Sequence, residues 1–199
     1  MTRDRLAEAI RLREEGRAKQ DQAILKEART LLLELAAAYP DDAEILFQTG
    51  VAHDNSGLGS EAVPYYLRAL EVGLSGPDFE RCLLGLGSTY RYLGNYEQAE
   101  EILRRGVKEF PYNRAIQVLL AMTLYNTERY KEAMEIVLTS LLETTNDEKL
   151  QYFKRGLLYY ATHLDEKIVL SSKFARSVAS RHVECRSLLV RKDNQMEMY

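Results

Sequence analysis

The sequence predicts an all-α fold, a right-handed α-solenoid of helix–turn–helix repeats, and three observations predict it. Small residues recur at a near-constant period: Gly16, Gly50, Gly87 and Ala121, at spacings of 34, 37 and 34 residues. Twelve residues after each stands a second small residue: Ala28, Ala62, Ala99 and Ala133. Within each period apolar residues fall at helical spacing, and Gly, Asn and Pro punctuate the chain. A unit of this length cannot bury its apolar face alone, so neighbours must stack into one cooperative array, here of about nine to eleven helices.

The first unit covers about 8–40, carries Gly16 and Ala28, and closes at Pro40. The second, about 43–76, carries Gly50 and Ala62; its proline, Pro77, comes three residues late, which places a loop insertion in "VGLSGP". The third, about 80–112, shows the logic most fully. Leu83, Leu86 and Tyr90 mark one helix, and Ala99, Leu103 and Gly106 mark the other. Gly94 breaks the chain between them, with Asn95 as N-cap and Gln98 completing a capping-box-like start. Gly87 and Ala99 are small because two helices cross closely there. Pro111 ends the unit and Asn113 caps the next helix. The fourth unit, about 114–145, repeats the scheme with Ala121 and Ala133. From 147 a partial fifth begins, capped by Asn146, with Gly156 in register and Leu150, Phe153, Leu157 and Tyr160 at helical spacing. Its second helix should carry a small residue near 168, where Ile168 stands instead.

With its small–aromatic–small–proline pattern recurring four times in phase, the sequence resembles the tetratricopeptide repeat (TPR) family, and its length resembles that of the small stand-alone bacterial members. The resemblance implies a repeat domain over 6–166 and a first helix in each unit that lines a concave groove. Inward positions are then Arg13, Arg17, Gln20 and Asp21 in the first unit, and Glu44, Phe47, Val51, Asp54 and Asn55 in the second. The third supplies Arg81, Leu84, Ser88, Arg91 and Tyr92, and the fourth Ala115, Val118, Met122, Tyr125 and Asn126. Arginines pair carboxylates, tyrosines offer rigid contact area, and asparagines grip backbone amides, a mixture that suits an extended peptide. The competing reading is an ordinary solvated face. The candidate peptide-binding residues are Phe47, Asn55, Arg81, Ser88, Arg91, Tyr92, Met122, Tyr125 and Asn126.

Members that bind chaperone tails carry a Lys and an Asn four apart on the first helix, with a further Asn and a Lys/Arg pair beyond. The corresponding pairs here are Arg13/Arg17, Phe47/Val51, Leu84/Ser88 and Val118/Met122, so that ligand is disfavoured. Arg81 and Arg91 remain available to a different acidic segment.

Composition restricts the other classes. The chain of 199 residues is 46% hydrophobic, enough for a sizeable core, and its net charge of −3 gives no global attraction to nucleic acid or an anionic membrane. The N-terminal "MTRDRLAEAIRLREEG" is too densely charged for a signal peptide, and no apolar run reaches membrane-spanning length. Two cysteines, Cys82 and Cys185, rule out a disulfide framework and fit a reducing cytoplasm. Seven Lys or Arg face three acids beyond Glu166, so 167–199 is a basic segment: a C-terminal capping helix, a flexible tail, or an ionic arm. Arg176, Arg181, Arg186 and Arg191, five apart, fan around a helix instead of forming a stripe.

His182 and Cys185, with Glu184 nearby, are too few for structural zinc. His53, beside Asp54, reads as a packing residue. "GLGS" at 57–60 and "GLG" at 85–87 lack the GK[ST] of a phosphate loop. With no nucleophile paired to a base, the expectation is no enzyme, cofactor or metal. The predicted function is a non-catalytic protein–protein interaction scaffold binding an extended protein or peptide segment in the concave groove. The alternative is a self-associating structural module that forms a homodimer through its C-terminal repeat end.

Overall fold

The computed structural model describes residues 2–167. It divides into two compact units, Met1–Thr162 and His163–Tyr199. The nine helices among the described residues all lie in the first: α1 (Thr2–Lys19), α2 (Gln22–Ala38), α3 (Ala43–Asn55), α4 (Gly59–Glu71), α5 (Gly76–Tyr92), α6 (Tyr96–Glu109), α7 (Arg114–Asn126), α8 (Tyr130–Thr144) and α9 (Glu148–Thr162). In the compact unit His163–Tyr199 the Glu166 amide donates to the His163 carbonyl at 3.0 Å. Beyond Lys167 the basic segment, with His182 and Cys185, lies outside the described residues.

Each helix meets the next along the chain, and α1, α3, α5 and α7 also meet one another in succession. This is the all-α solenoid of helix pairs, with the first helices stacked in a row. The small residues sit where the pairs cross. A Cβ built on Gly87 would lie 2.6 Å from Leu103 Cγ, and one on Gly50 would lie 2.8 Å from the Tyr66 ring. Ala28, Ala62 and Ala99 are fully buried. Apolar clusters straddle the joins between units: Leu6, Leu32, Leu35 and Ile45 form one, Phe47, Tyr66, Cys82 and Leu86 another, and Leu103, Ile116, Leu120 and Leu124 a third. Burial pushes the Cys82 thiol up to about 12, so it stays a neutral core group.

Two kinds of turn join the helices. Between the helices of a pair, a residue with positive φ (Gln20, Gly57, Gly94 or Glu128) precedes an amide that reaches back five residues. Asp21 thus donates to Gly16, Leu58 to His53, Asn95 to Tyr90 and Arg129 to Leu124, all at 2.9–3.0 Å. Between pairs, extended residues cap α3 and α7 through their side chains, whereas the α4–α5 turn is again closed by the backbone: Leu74, after Gly73 at positive φ, donates to Ala69 at 2.9 Å, and Ser75 makes no side-chain cap. Asp42 accepts from the Glu44 and Ile45 amides at 3.1 Å, and Asn113 from the Ile116 amide at 3.0 Å.

Three local expectations are corrected. Asn95 makes no side-chain cap, because its ψ of 66° belongs to the backbone-closed turn and not to the extended geometry of Asp42 and Asn113. Asp147, not Asn146, caps α9, accepting from the Leu150 amide at 2.9 Å. Pro77 does not close the second unit. It stands in the first turn of α5, where its missing N–H costs nothing, and the inserted residues lengthen that helix.

Candidate functional site

Stacking of the first helices brings side chains from α1, α3 and α5 around one polar cleft of about 590 Å³. Arg13 and Arg17 come from α1, Phe47, Val51, Asp54 and Asn55 from α3, and Glu80, Arg81, Leu84 and Ser88 from α5. Helical spacing explains this: residues one and four beyond each register glycine, and three before it, share a face. Phe47 forms the floor, 1% exposed, with the Arg81 guanidinium 5.4 Å above its ring centroid. Arg81 also pairs with Asp78 at 2.9 Å.

Arg13 is the most unusual member. It is 3% exposed, its Nε–H has no hydrogen-bond partner, and its ion pair is with its neighbour Glu14 at 3.6 Å. Burial lowers its pKa, and the nearby positive charges of Arg81 and Arg17 push the same way. The Asn55 side-chain N–H is likewise buried and unpartnered. The cleft's acids, by contrast, are engaged. Asp54 accepts from Tyr66 Oη at 2.7 Å and from Thr89 Oγ1 at 2.8 Å, and Glu80 accepts from Asn113 Nδ2 at 2.7 Å. Burial raises the Asp54 pKa against the opposing pull of those two hydroxyls.

A second hollow, apolar and of about 410 Å³, opens between α7 and α8. Ala121, Met122 and Tyr125 of α7 and Tyr130, Ala133, Met134 and Val137 of α8 line it, with Arg91 of α5 at the edge. The Arg91 Nε–H is buried without a partner. Tyr125 meets Tyr130 edge-on at 5.2 Å. The hollow exists because α9 meets α8 but, unlike α3, α5 and α7, does not meet the first helix before it. Sixteen residues past each register position, Leu32, Tyr66 and Leu103 are at most 2% exposed, whereas Val137 is 40% exposed.

The candidate residues therefore divide. Phe47, Asn55, Arg81 and Ser88 share the polar cleft, and Arg91, Met122 and Tyr125 share the apolar hollow. Tyr92, highly exposed, lines a small recess with Asp54, Asn55, Ser88 and Thr89. Asn126 is exposed at the end of α7 and lines none of these. Of the inward positions in the first unit, Asp21 is spent capping α2, and Gln20 occupies the left-handed turn. His53 packs as expected, stacked on Tyr65 at 5.1 Å with Nδ1 2.8 Å from the Thr49 carbonyl. Sequence reasoning missed Met134 and Val137, second-helix residues that a following unit would normally cover. The signal was the missing small residue near 168.

The family model for the tetratrico peptide repeat matches residues 43–164, more than half of the chain. The chain belongs to the tetratricopeptide repeat family. Solved structures share the TPR fold at low identity. MamA 41-end from Desulfovibrio magneticus RS-1 is 19% identical with a TM-score of 0.57, over 78% of this chain and 89% of that one. Another MamA structure is 14% identical with a TM-score of 0.59, over 98% and 97%. The APC/C hetero-tetramer Cut9–Hcn1 is 18% identical with a TM-score of 0.60, over 78% of this chain and 29% of that one. No curated protein matches. Among the described residues no TPR helix is long and apolar enough to cross a membrane, and no three metal-ligating side chains cluster.

Proposed function

We propose that this TPR chain is a non-catalytic scaffold that binds an extended segment of a partner protein along the row of first helices. The observation that carries the reading is the grouping of buried, unpartnered donors on that one face: Arg13, Asn55 and Arg91. Such groups are costly to leave unsatisfied in a free protein and are satisfied by an incoming ligand. Photo-crosslinking tests the reading. Benzoylphenylalanine at Tyr92 or Tyr125 should trap partner protein in cells of the source organism, and the same probe at Leu67 on α4 should not. Equal trapping at all three positions, or none at the first two, removes the concave face as the binding surface.

A second reading has its own support. Tyr152, Phe153 and Tyr160 on α9 are each at least 60% exposed, an apolar end suited to pairing with another copy. End pairing predicts a dimer that dissociates on dilution and is lost in Phe153→Ser. A monomer at all concentrations in sedimentation equilibrium eliminates it.

A further inference from the structure

The two hollows on the concave face differ in chemistry, and together they specify a ligand more narrowly than either does alone. In the polar cleft the unpartnered atoms, Arg13 Nε and Asn55 Nδ2, are both donors. What completes them is an acceptor, and an ionised carboxylate supplies acceptors without adding a donor. Three guanidiniums face two carboxylates there, Arg13, Arg17 and Arg81 against Asp54 and Glu80. That balance favours a singly charged acceptor over a doubly charged phosphate, which the two resident carboxylates would repel more strongly. A carboxylate meets each requirement, and the planar Arg forks suit it.

The hollow between α7 and α8 asks for the opposite. Met122, Tyr125, Met134 and Val137 present apolar surface, each at least 40% exposed. Helix α9 meets α8 and not α7, so among the described residues no first helix fills the place beside α7. Neighbouring helices lie about 8–10 Å apart, so the step from the cleft centred on α3 to the hollow beside α7 is about 20 Å. An extended chain covers that distance in about six residues.

We infer that this face reads a bipartite segment of a partner protein: an acidic side chain bound by Arg13 and Arg81, and a bulky apolar side chain about six residues away seated between α7 and α8. The inference rests on the concave-face reading and adds the partner's chemistry to it. Arg91, bordering the hollow with a buried free N–H, donates to the backbone carbonyl of the segment between the two anchors.

Fluorescence anisotropy with the full chain and synthetic peptides tests it. The parent probe is a blocked, amidated Gly/Ser peptide carrying one Glu and one Phe at that spacing. Variants change Glu to Gln, change Phe to Ser, halve the spacing, or replace the Glu by a free chain-terminal carboxylate. Losing the Glu should weaken binding about tenfold, as charge-assisted bonds to a partly buried Arg would. Arg81→Gln, at a half-exposed position that leaves the fold intact, should remove that same dependence, so the Glu and Gln peptides then bind alike. Arg13→Gln should do likewise, with circular dichroism confirming that it folds. Met134→Asp should abolish the Phe dependence and leave the Glu dependence in place.

A chain-terminal carboxylate that binds better than the internal Glu would overturn the side-chain assignment. Equal binding of the Glu and Gln peptides would overturn the acidic anchor. Equal binding at full and half spacing would overturn the bipartite reading. A chain that binds no peptide and sediments as a dimer split by Met134→Asp would assign the hollow to a second copy and overturn the proposal. Crosslinks at Tyr92 and Tyr125 that persist alongside any of these failures would leave the concave-face reading standing; their absence would remove both.

Discussion

Gly87 and Gly156 hold the same place in their units, yet they ask opposite things of a methyl group. At Gly87 a Cβ would press to 2.6 Å on Leu103, itself fully buried with nowhere to go. Gly87→Ala should therefore cost about 1–3 kcal/mol by overpacking. At Gly156, in α9, nothing among the described residues lies within 4 Å of the same Cβ. Gly156→Ala should stabilise by about 0.4–1 kcal/mol, because alanine gives up less chain entropy in a helix. Urea midpoints for the two variants should move in opposite directions, and a shared direction would show that the register carries no packing distinction. Asp54 gives a second residue-scale test. Its folded pKa is raised, so the native state holds the proton more firmly than the unfolded chain, and the folded protein loses stability as pH rises through the carboxylate range up to that folded pKa. Asp54→Asn cannot ionise. The melting temperature of Asp54→Asn minus that of the parent should grow more positive with rising pH and then level off; a flat or falling difference contradicts the assignment.

At the scale of elements, a helix pair was more legible in the sequence than its turns. Asn113 was readable as a cap because an Asn before a helix, with extended backbone, caps by a local rule. Asn95 looked the same in sequence, but its turn is closed by the Asn95 amide reaching the Tyr90 carbonyl at 2.9 Å after Gly94 at positive φ, and its side chain makes no cap. The polar cleft was half legible for a similar reason. Arg81, Asn55 and Ser88 follow from spacing on a helix, whereas the burial of Arg13 and the Asp54–Tyr66–Thr89 bonds depend on which units meet. The same turn yields a prediction. Glu128, exposed and with φ of 63°, occupies the left-handed position that Gly57 and Gly94 fill in the two preceding units. A side chain there costs about 1–2 kcal/mol and glycine's added freedom in the unfolded chain offsets about 0.5–1 kcal/mol of that, so Glu128→Gly should raise stability by about 0.5–1 kcal/mol. Calorimetry showing a lowered melting temperature would mean that the Glu128 side chain makes a contact worth more than the strain.

Across the compact unit Met1–Thr162, stability should follow how many neighbours each helix has. The three apolar clusters cross the joins between repeats, so neither the α3–α4 pair nor the α5–α6 pair can open without exposing two of them. Helix α9 differs: it meets α8 alone among the described residues, and Ala161 is its one residue described as buried. The period that made the repeats visible said nothing of this, because a period records what each unit has in common and not what the last one lacks. Hydrogen exchange should therefore show two classes of amide. Those of α3 to α6, covered on both sides, should exchange last and together, at a free energy close to that of global unfolding. Those of α9 should exchange well before them, through a local opening that exposes little apolar surface and so depends only weakly on urea. Gly87→Ala should lower protection across α3 to α6 and leave α9 nearly unchanged, since the α9 opening does not pass through the Gly87–Leu103 crossing. Protection in α9 equal to that in α5 would show that α9 is held from both sides, and the open apolar hollow beside α7 would then have an occupant even in the free chain.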